Sequence, residues 1–273
     1  MAKEYIAFRF EKLDLQLKDI LLGLLPQAGF EGFEEEDEHT VIAYAQDGQI
    51  DKSLLEQIIA TNNLSPSQST IEEKNWNAEW ESSFEPVVIP GKVAVRASFH
   101  PPVTGVMLEI IITPKMSFGT GHHATTFLMM ETILDFNLNQ KKVFDFGTGT
   151  GILAILAEKR GASEIKAVDN DEWSINNAKE NIQVNDCSKI SLCLSSSIDT
   201  DKKYDYIFAN INKGVILENK ERLYESLVKE GVLILSGLLI TDQAEIVSSF
   251  HPLLGNPLLI TEKNNWISLA FKR

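Results

Sequence analysis

The segment Val143-Phe-Asp-Phe-Gly-Thr-Gly-Thr-Gly-Ile-Leu-Ala-Ile-Leu-Ala157 leaves few folds open to this chain. It reads as a buried strand, a glycine turn and an apolar helix, the opening βα unit of a nucleotide-cofactor domain. Glycine spacing then narrows the ligand. A dinucleotide fingerprint, G-x-G-x-x-G, needs glycines at 147, 149 and 152, and position 152 is Ile152. The glycines are Gly147, Gly149 and Gly151, led by Asp145. Such a turn suits a ligand that lies close to backbone and brings no pyrophosphate for the amides to hold.

The acidic-x-G-x-G-x-G pattern resembles the first motif of S-adenosylmethionine-dependent methyltransferases with a Rossmann-like fold. The next strand, Glu164-Ile-Lys-Ala-Val-Asp169, ends in an acid twenty-two residues after Gly147. A carboxylate there can accept hydrogen bonds from both hydroxyls of a ribose.

The 273 residues suffice for one large or two modest domains. Hydrophobic content of 44% and charged content of 23% fit a globular protein. A net charge of −14 argues against a general nucleic-acid binder and favours a basic partner, though it also serves solubility. Cys187 and Cys193 form neither a disulfide framework nor a four-ligand metal set. No signal peptide or membrane span is recognisable, which leads us to expect a cytoplasmic protein.

Residues 1–63 read as a separate α+β module. Tyr5–Phe10 alternates as a strand, and Leu15–Ala28 has helical spacing that stops at Gly29. The acidic run Glu34–Glu38, expected as a solvated loop, leads into a second strand over Thr40–Ala45, and Asp51–Ala60 forms a second helix. This order suggests a small ferredoxin-like split βαβ sheet. Residues 64–86 read as a linker, with Trp76 and Trp80 on one face of a short helix. Residues 87–273 begin with β-rich structure near 93–96 and 107–113. They then alternate helix and strand: helices near 125–136, 152–160, 172–184 and 217–228, and strands at 143, 165, 190–194, 206–209 and 232–236. The fold class is therefore α/β, a mostly parallel Rossmann-like sheet with helices on both faces.

Two further segments carry candidate site residues. Ser117–Thr126 is a polar, glycine-containing loop that can fold over a ligand, with Phe118 and Thr120 assigned to the cofactor and Thr125 and Thr126 at a helix start. His122 and His123 are adjacent and point apart, so no metal is expected. Tyr204–Lys213 is the fourth strand of the α/β domain running out into polar residues. Asn210 at its C-terminal end points into the expected cleft and is the candidate catalytic residue. Ser195–Asp199 borders the expected adenine position.

Together, SFGTGHHATT at 117–126, VFDFGTGTGILAI at 143–155, AVDND at 167–171, FANIN at 208–212 and LILSGLL at 233–239 resemble one family, the ribosomal protein L-eleven methyltransferases (PrmA). The resemblance implies transfer of methyl groups from S-adenosylmethionine to amino groups of a stalk-base protein of the large ribosomal subunit: lysine side chains and the N-terminal amine. It implies cofactor contacts at Thr126, Gly147, Asp169 and Asn210, beside Gly149 and Gly151 of the motif. It also implies an N-terminal module that recognises the substrate, in an enzyme expected to act as a monomer and without direct nucleic-acid contact. The alternative is an N-methyltransferase acting on another protein or a small amine. A planar amide or base substrate is disfavoured, because Asn210-Ile211-Asn212-Lys213 lacks the Asn-Pro-Pro-Tyr of enzymes acting on such groups.

Overall fold

The computed structural model describes residues 5–46, 48–71, 84–115 and 117–273. They belong to two compact units, residues 1–84 and 85–273. The expected Trp76–Trp80 helix lies outside the described residues.

The first unit runs β1 (Tyr5–Phe10), α1 (Leu15–Leu24), β2 (Gly32–Asp37), β3 (Thr40–Gln46), α2 (Lys52–Thr61) and β4 (Ser67–Ile71). Asp14 and Asp51 cap the two helices by accepting from the backbone N–H of Leu17 and Leu54. The sheet order is β2-β3-β1-β4 with every neighbouring pair antiparallel. Strands β1 and β2 thus run parallel with β3 inserted between them, a split βαβ arrangement. Phe10, Leu21, Leu25, Val41, Leu55 and Ile58 fill the core beneath it.

Three expectations need correction in this unit. Helix α1 stops at Leu24, because Pro26 has no N–H to continue the ladder and residues 25–28 tighten into a 3-10 turn. Residues 34–37 of the acidic run belong to strand β2, whose exposed carboxylates include Glu35 paired with Lys18 and Glu36 paired with Arg9, while its backbone pairs with β3. Ser67–Ile71, read as part of a linker over 64–86, is edge strand β4 on β1. Its polar sequence offers no apolar alternation to mark it as a strand.

The second unit opens with a three-stranded sheet of β5 (Val87–Ile89), β6 (Val93–Ala97) and β7 (Leu108–Ile112). There follow α3 (Ala124–Leu134), β8 (Lys142–Phe146), α4 (Ile152–Lys159), β9 (Glu164–Asp169), α5 (Glu172–Val184), β10 (Ile190–Leu194) and β11 (Tyr204–Asn210). The chain continues through α6 (Lys213–Glu218), α7 (Lys220–Ser226), β12 (Leu227–Leu239), α8 (Gln243–Leu254), β13 (Leu259–Lys263) and β14 (Trp266–Lys272). Their seven-stranded sheet has the order β10-β9-β8-β11-β12-β14-β13. The first five strands are parallel, and β14 is antiparallel to both its neighbours. Helices cover both faces. Buried Val143, Phe144, Ile207, Leu233 and Leu269 account for the near-continuous apolar strands.

The helix expected over 217–228 is two short helices that meet at Asn219, whose side-chain amide donates to Val215 O and ends the first. Strand order reverses between β8 and β11, so the carboxyl ends of these two strands open a crevice. Among the described residues no helix is long and apolar enough to cross a membrane.

Candidate active site

The glycine turn sits at that crevice, directly after β8. Gly147 has φ +81, and a Cβ on it would lie 2.3 Å from Ile211 Cγ2. Gly149 has φ +55, and a Cβ there would lie 2.3 Å from Phe118 O. Side chains at these positions would be strained and would also displace their neighbours. Gly151 serves packing, with its Cα face against Ala178 of α5.

Two carboxylates flank the turn in opposite environments. Asp145 is fully buried; it accepts from the Thr148 hydroxyl at 2.6 Å through Oδ2, while Oδ1 has no partner among the described residues. Burial pushes its pKa up to about 7, with the nearby Asp169 charge adding to the rise. Asp169 ends β9 and is oriented by backbone alone. Oδ2 accepts from Gly149 N–H at 2.8 Å and Oδ1 from Asp171 N–H at 3.1 Å. Each oxygen keeps acceptor capacity for a further donor.

The lead-in loop is anchored to the turn. Phe118 O accepts from Thr150 N–H at 3.0 Å, and Gly119 O accepts from the Thr150 hydroxyl at 2.5 Å. His122 Nε2 reaches Glu85 O at 2.8 Å and its Nδ1 the Thr120 hydroxyl at 3.2 Å. His123 points the other way and caps α3, accepting from Thr125 N–H. The His123 ring also stands between Phe118, 5.1 Å away, and Trp266, 4.9 Å away, forming an aromatic row. Trp266 reaches this row because Asn264 and Asn265 (φ +50 and +66) make the tight turn from β13 to β14.

Asn210 closes the other side. Its amide nitrogen donates to the Thr126 hydroxyl at 3.4 Å, and its carbonyl oxygen is buried with no partner among the described residues. An unpaired buried acceptor beside a cleft can take a hydrogen bond from a donor that enters the cleft.

A cavity of about 360 Å³ brings together Phe118, Gly147, Gly149, Asp169 and Asn210. A neighbouring cavity of about 170 Å³ shares Gly147, Asp169 and Ile211 with it and extends to Ser195 and Ser196. Three residues assigned to the cofactor from the sequence do not line either cavity. Thr126 is buried behind Asn210, Gly151 faces α5, and Thr120 is turned to His122. Thr125, His123, Ser174, Gly237 and Trp266 line the larger cavity without having been assigned to the cofactor from sequence. The Asn264–Asn265 pair was the available signal for Trp266, since two left-handed asparagines mark a hairpin. Among the described residues no group of three or more His, Cys, Asp or Glu could hold a metal ion.

Residues 23–273 match the family model described as ribosomal protein L11 methyltransferase (PrmA). A protein named ribosomal protein L11 methyltransferase from Porphyromonas gingivalis is 40% identical, over 98% of this chain and 97% of the relative. One of the same name from Chlorobaculum tepidum is 35% identical, over 88% of this chain and 86% of the relative. The crystal structure of a ribosomal protein L11 methylase from Lactobacillus delbrueckii subsp. bulgaricus superposes with a TM-score of 0.65 at 30% identity. It covers 70% of this chain and 99% of that one.

Proposed function

The chain belongs to the ribosomal protein L11 methyltransferase (PrmA) family, and on that premise we propose that it methylates amino groups of the stalk-base ribosomal protein L11 with S-adenosylmethionine as donor. The amino groups are lysine side chains and the N-terminal amine. We further propose a monomeric cytoplasmic enzyme, without metal, whose first unit recognises the substrate and makes no direct nucleic-acid contact. The charge of −14 supports a basic partner and opposes nucleic acid.

The observation that carries the reading is the cavity shared by the glycine turn, Asp169 and Asn210. Its residues fit the donor. Gly147 and Gly149 line the cavity with backbone alone, which lets an amino-acid tail lie against the turn, and the remaining acceptor capacity of Asp169 suits a ribose diol. When bound, S-adenosylmethionine supplies a methyl group on sulfonium that is already strongly electrophilic. What remains for the chain is to hold an amine, aim its lone pair and exclude water. The unpaired oxygen of Asn210 can accept an N–H of that amine and fix its direction. Alignment of this kind contributes on the order of 7–11 kcal/mol. Phe118 and Trp266 wall one side of the cleft, and the amine enters it neutral, its proton already lost to solvent. No residue in this scheme needs to act as a strong base.

The test is intact-mass spectrometry of purified L11 incubated with the protein and methyl-deuterated S-adenosylmethionine. Deuterated methyl groups on L11 amines are expected. Transfer only to another protein or to a free small amine would replace the L11 reading with the broader N-methyltransferase one.

A further inference from the structure

We propose that Lys213 is a positioning residue for methyl transfer: through Asp242 and Glu245 it fixes the Asn210–Asn212 segment at the cavity. The proposal rests on the methyltransferase reading above. Lys213 Nζ lies 2.7 Å from Asp242 Oδ1 and 2.9 Å from Glu245 Oε2. Asp242 is itself anchored, because its second oxygen accepts from Leu239 N–H at 2.9 Å. The bridge therefore ties the loop after β11 to the loop after β12.

Lys213 sits where helix stability would not put it. It opens the six-residue helix α6, and a cation at a helix N-terminus opposes the backbone dipole. Its side chain is about one-third exposed, so the pair adds little to global stability. The geometry it serves is tight. Ile211, one residue past Asn210, is caught between two glycines. Its Cγ2 is 2.3 Å from where a Cβ on Gly147 would be, and its carbonyl oxygen is 2.3 Å from where a Cβ on Gly237 would be. A segment held so closely on both sides has one productive position, and the salt bridge sets the exit angle of the chain from it. Both Ile211 and Asn212 line the two cavities.

The experiment combines kinetics and methyl relaxation on the full chain. Lys213→Met should lower kcat about 10- to 100-fold, the range expected for a displacement of about 1 Å in a reacting geometry. S-adenosylmethionine affinity should fall by much less than kcat, because the glycine turn and Asp169 are untouched, and Lys213→Arg should recover most of the rate. Asp242→Asn should repeat the loss in milder form. In the cofactor-free protein, NMR relaxation of the Ile211 δ-methyl should report a more mobile side chain in Lys213→Met. A kcat within twofold of the parent, or an Ile211 methyl as ordered as in the parent, overturns the proposal. If the parent fails to methylate L11 while Ile211 still loosens in the variant, the functional reading falls and the clamp stands.

Discussion

Gly149 N–H donates to Asp169 Oδ2 at 2.8 Å, so the turn after β8 orients the carboxylate at the end of β9. One backbone donor joins the two parts of the sequence pattern, the glycines and the acid some twenty residues later. Asp169→Ala should therefore weaken S-adenosylmethionine binding by about 10- to 150-fold, the equivalent of roughly 1.5–3 kcal/mol for a charge-assisted hydrogen bond. Isothermal titration calorimetry reads this directly. Binding within twofold of the parent would remove Asp169 from the cofactor site.

Asn210→Ala should cut kcat by about 100-fold if the proposed role holds, because it removes the unpaired buried oxygen assigned to orient the amine. His122→Ala and His123→Ala should each cost less than about tenfold and leave the shape of the pH–rate profile unchanged. His122 is held by Glu85 O, and His123 caps α3. A loss beyond about 100-fold with either histidine, accompanied by disappearance of a titration near pH 6–7, would establish general-base catalysis instead.

Asp145 makes stability depend on pH. Its folded pKa, about 7, lies above the ordinary carboxylate value because burial penalises the charge. The folded state thus binds the proton more tightly than the unfolded chain. Its contribution is complete below about pH 4 and is lost as pH rises to about 7, on the order of 4 kcal/mol in all. Asp145→Asn keeps an acceptor for Thr148 and should flatten the slope of stability between pH 5 and 7.5 in urea titrations. A slope equal to the parent's would mean that Asp145 is ionised in the folded protein.

A chain starting at residue 85 should bind S-adenosylmethionine within a few-fold of the full-length protein while losing methylation of L11. The cut falls at the boundary between the two units and keeps β4 out of the second one. Loss of cofactor binding in a truncation that still melts cooperatively would assign the first unit to the cofactor site.

What could be read from the sequence follows a physical line. The β8–turn–α4 unit and Asp169 are legible because backbone conformation and short-range spacing are written locally in residues 143–169. Asn210 is legible as the end of an apolar strand. Strand β4 is not, since Ser67–Ile71 is held by ladder bonds to β1 and carries no apolar face of its own. Thr125 and Thr126 are adjacent hydroxyls at one helix start, and only the packing against Asn210 shows which faces the cavity. The anchoring of Phe118 to Thr150 depends on a contact across thirty-two residues that no local pattern encodes.

Trp266 reaches the aromatic row from strand β14, which inserts between β12 and β13. Synthesis runs from one wall of the cleft to the other: the glycine turn emerges first, and the indole that walls the cavity emerges more than a hundred residues later. A nascent chain displaying the complete cofactor motif is thus still an open half-site. The Trp266 wall is in place only when the late strand β14 pairs with β12, so closing this side of the cavity waits on the last strand of the chain.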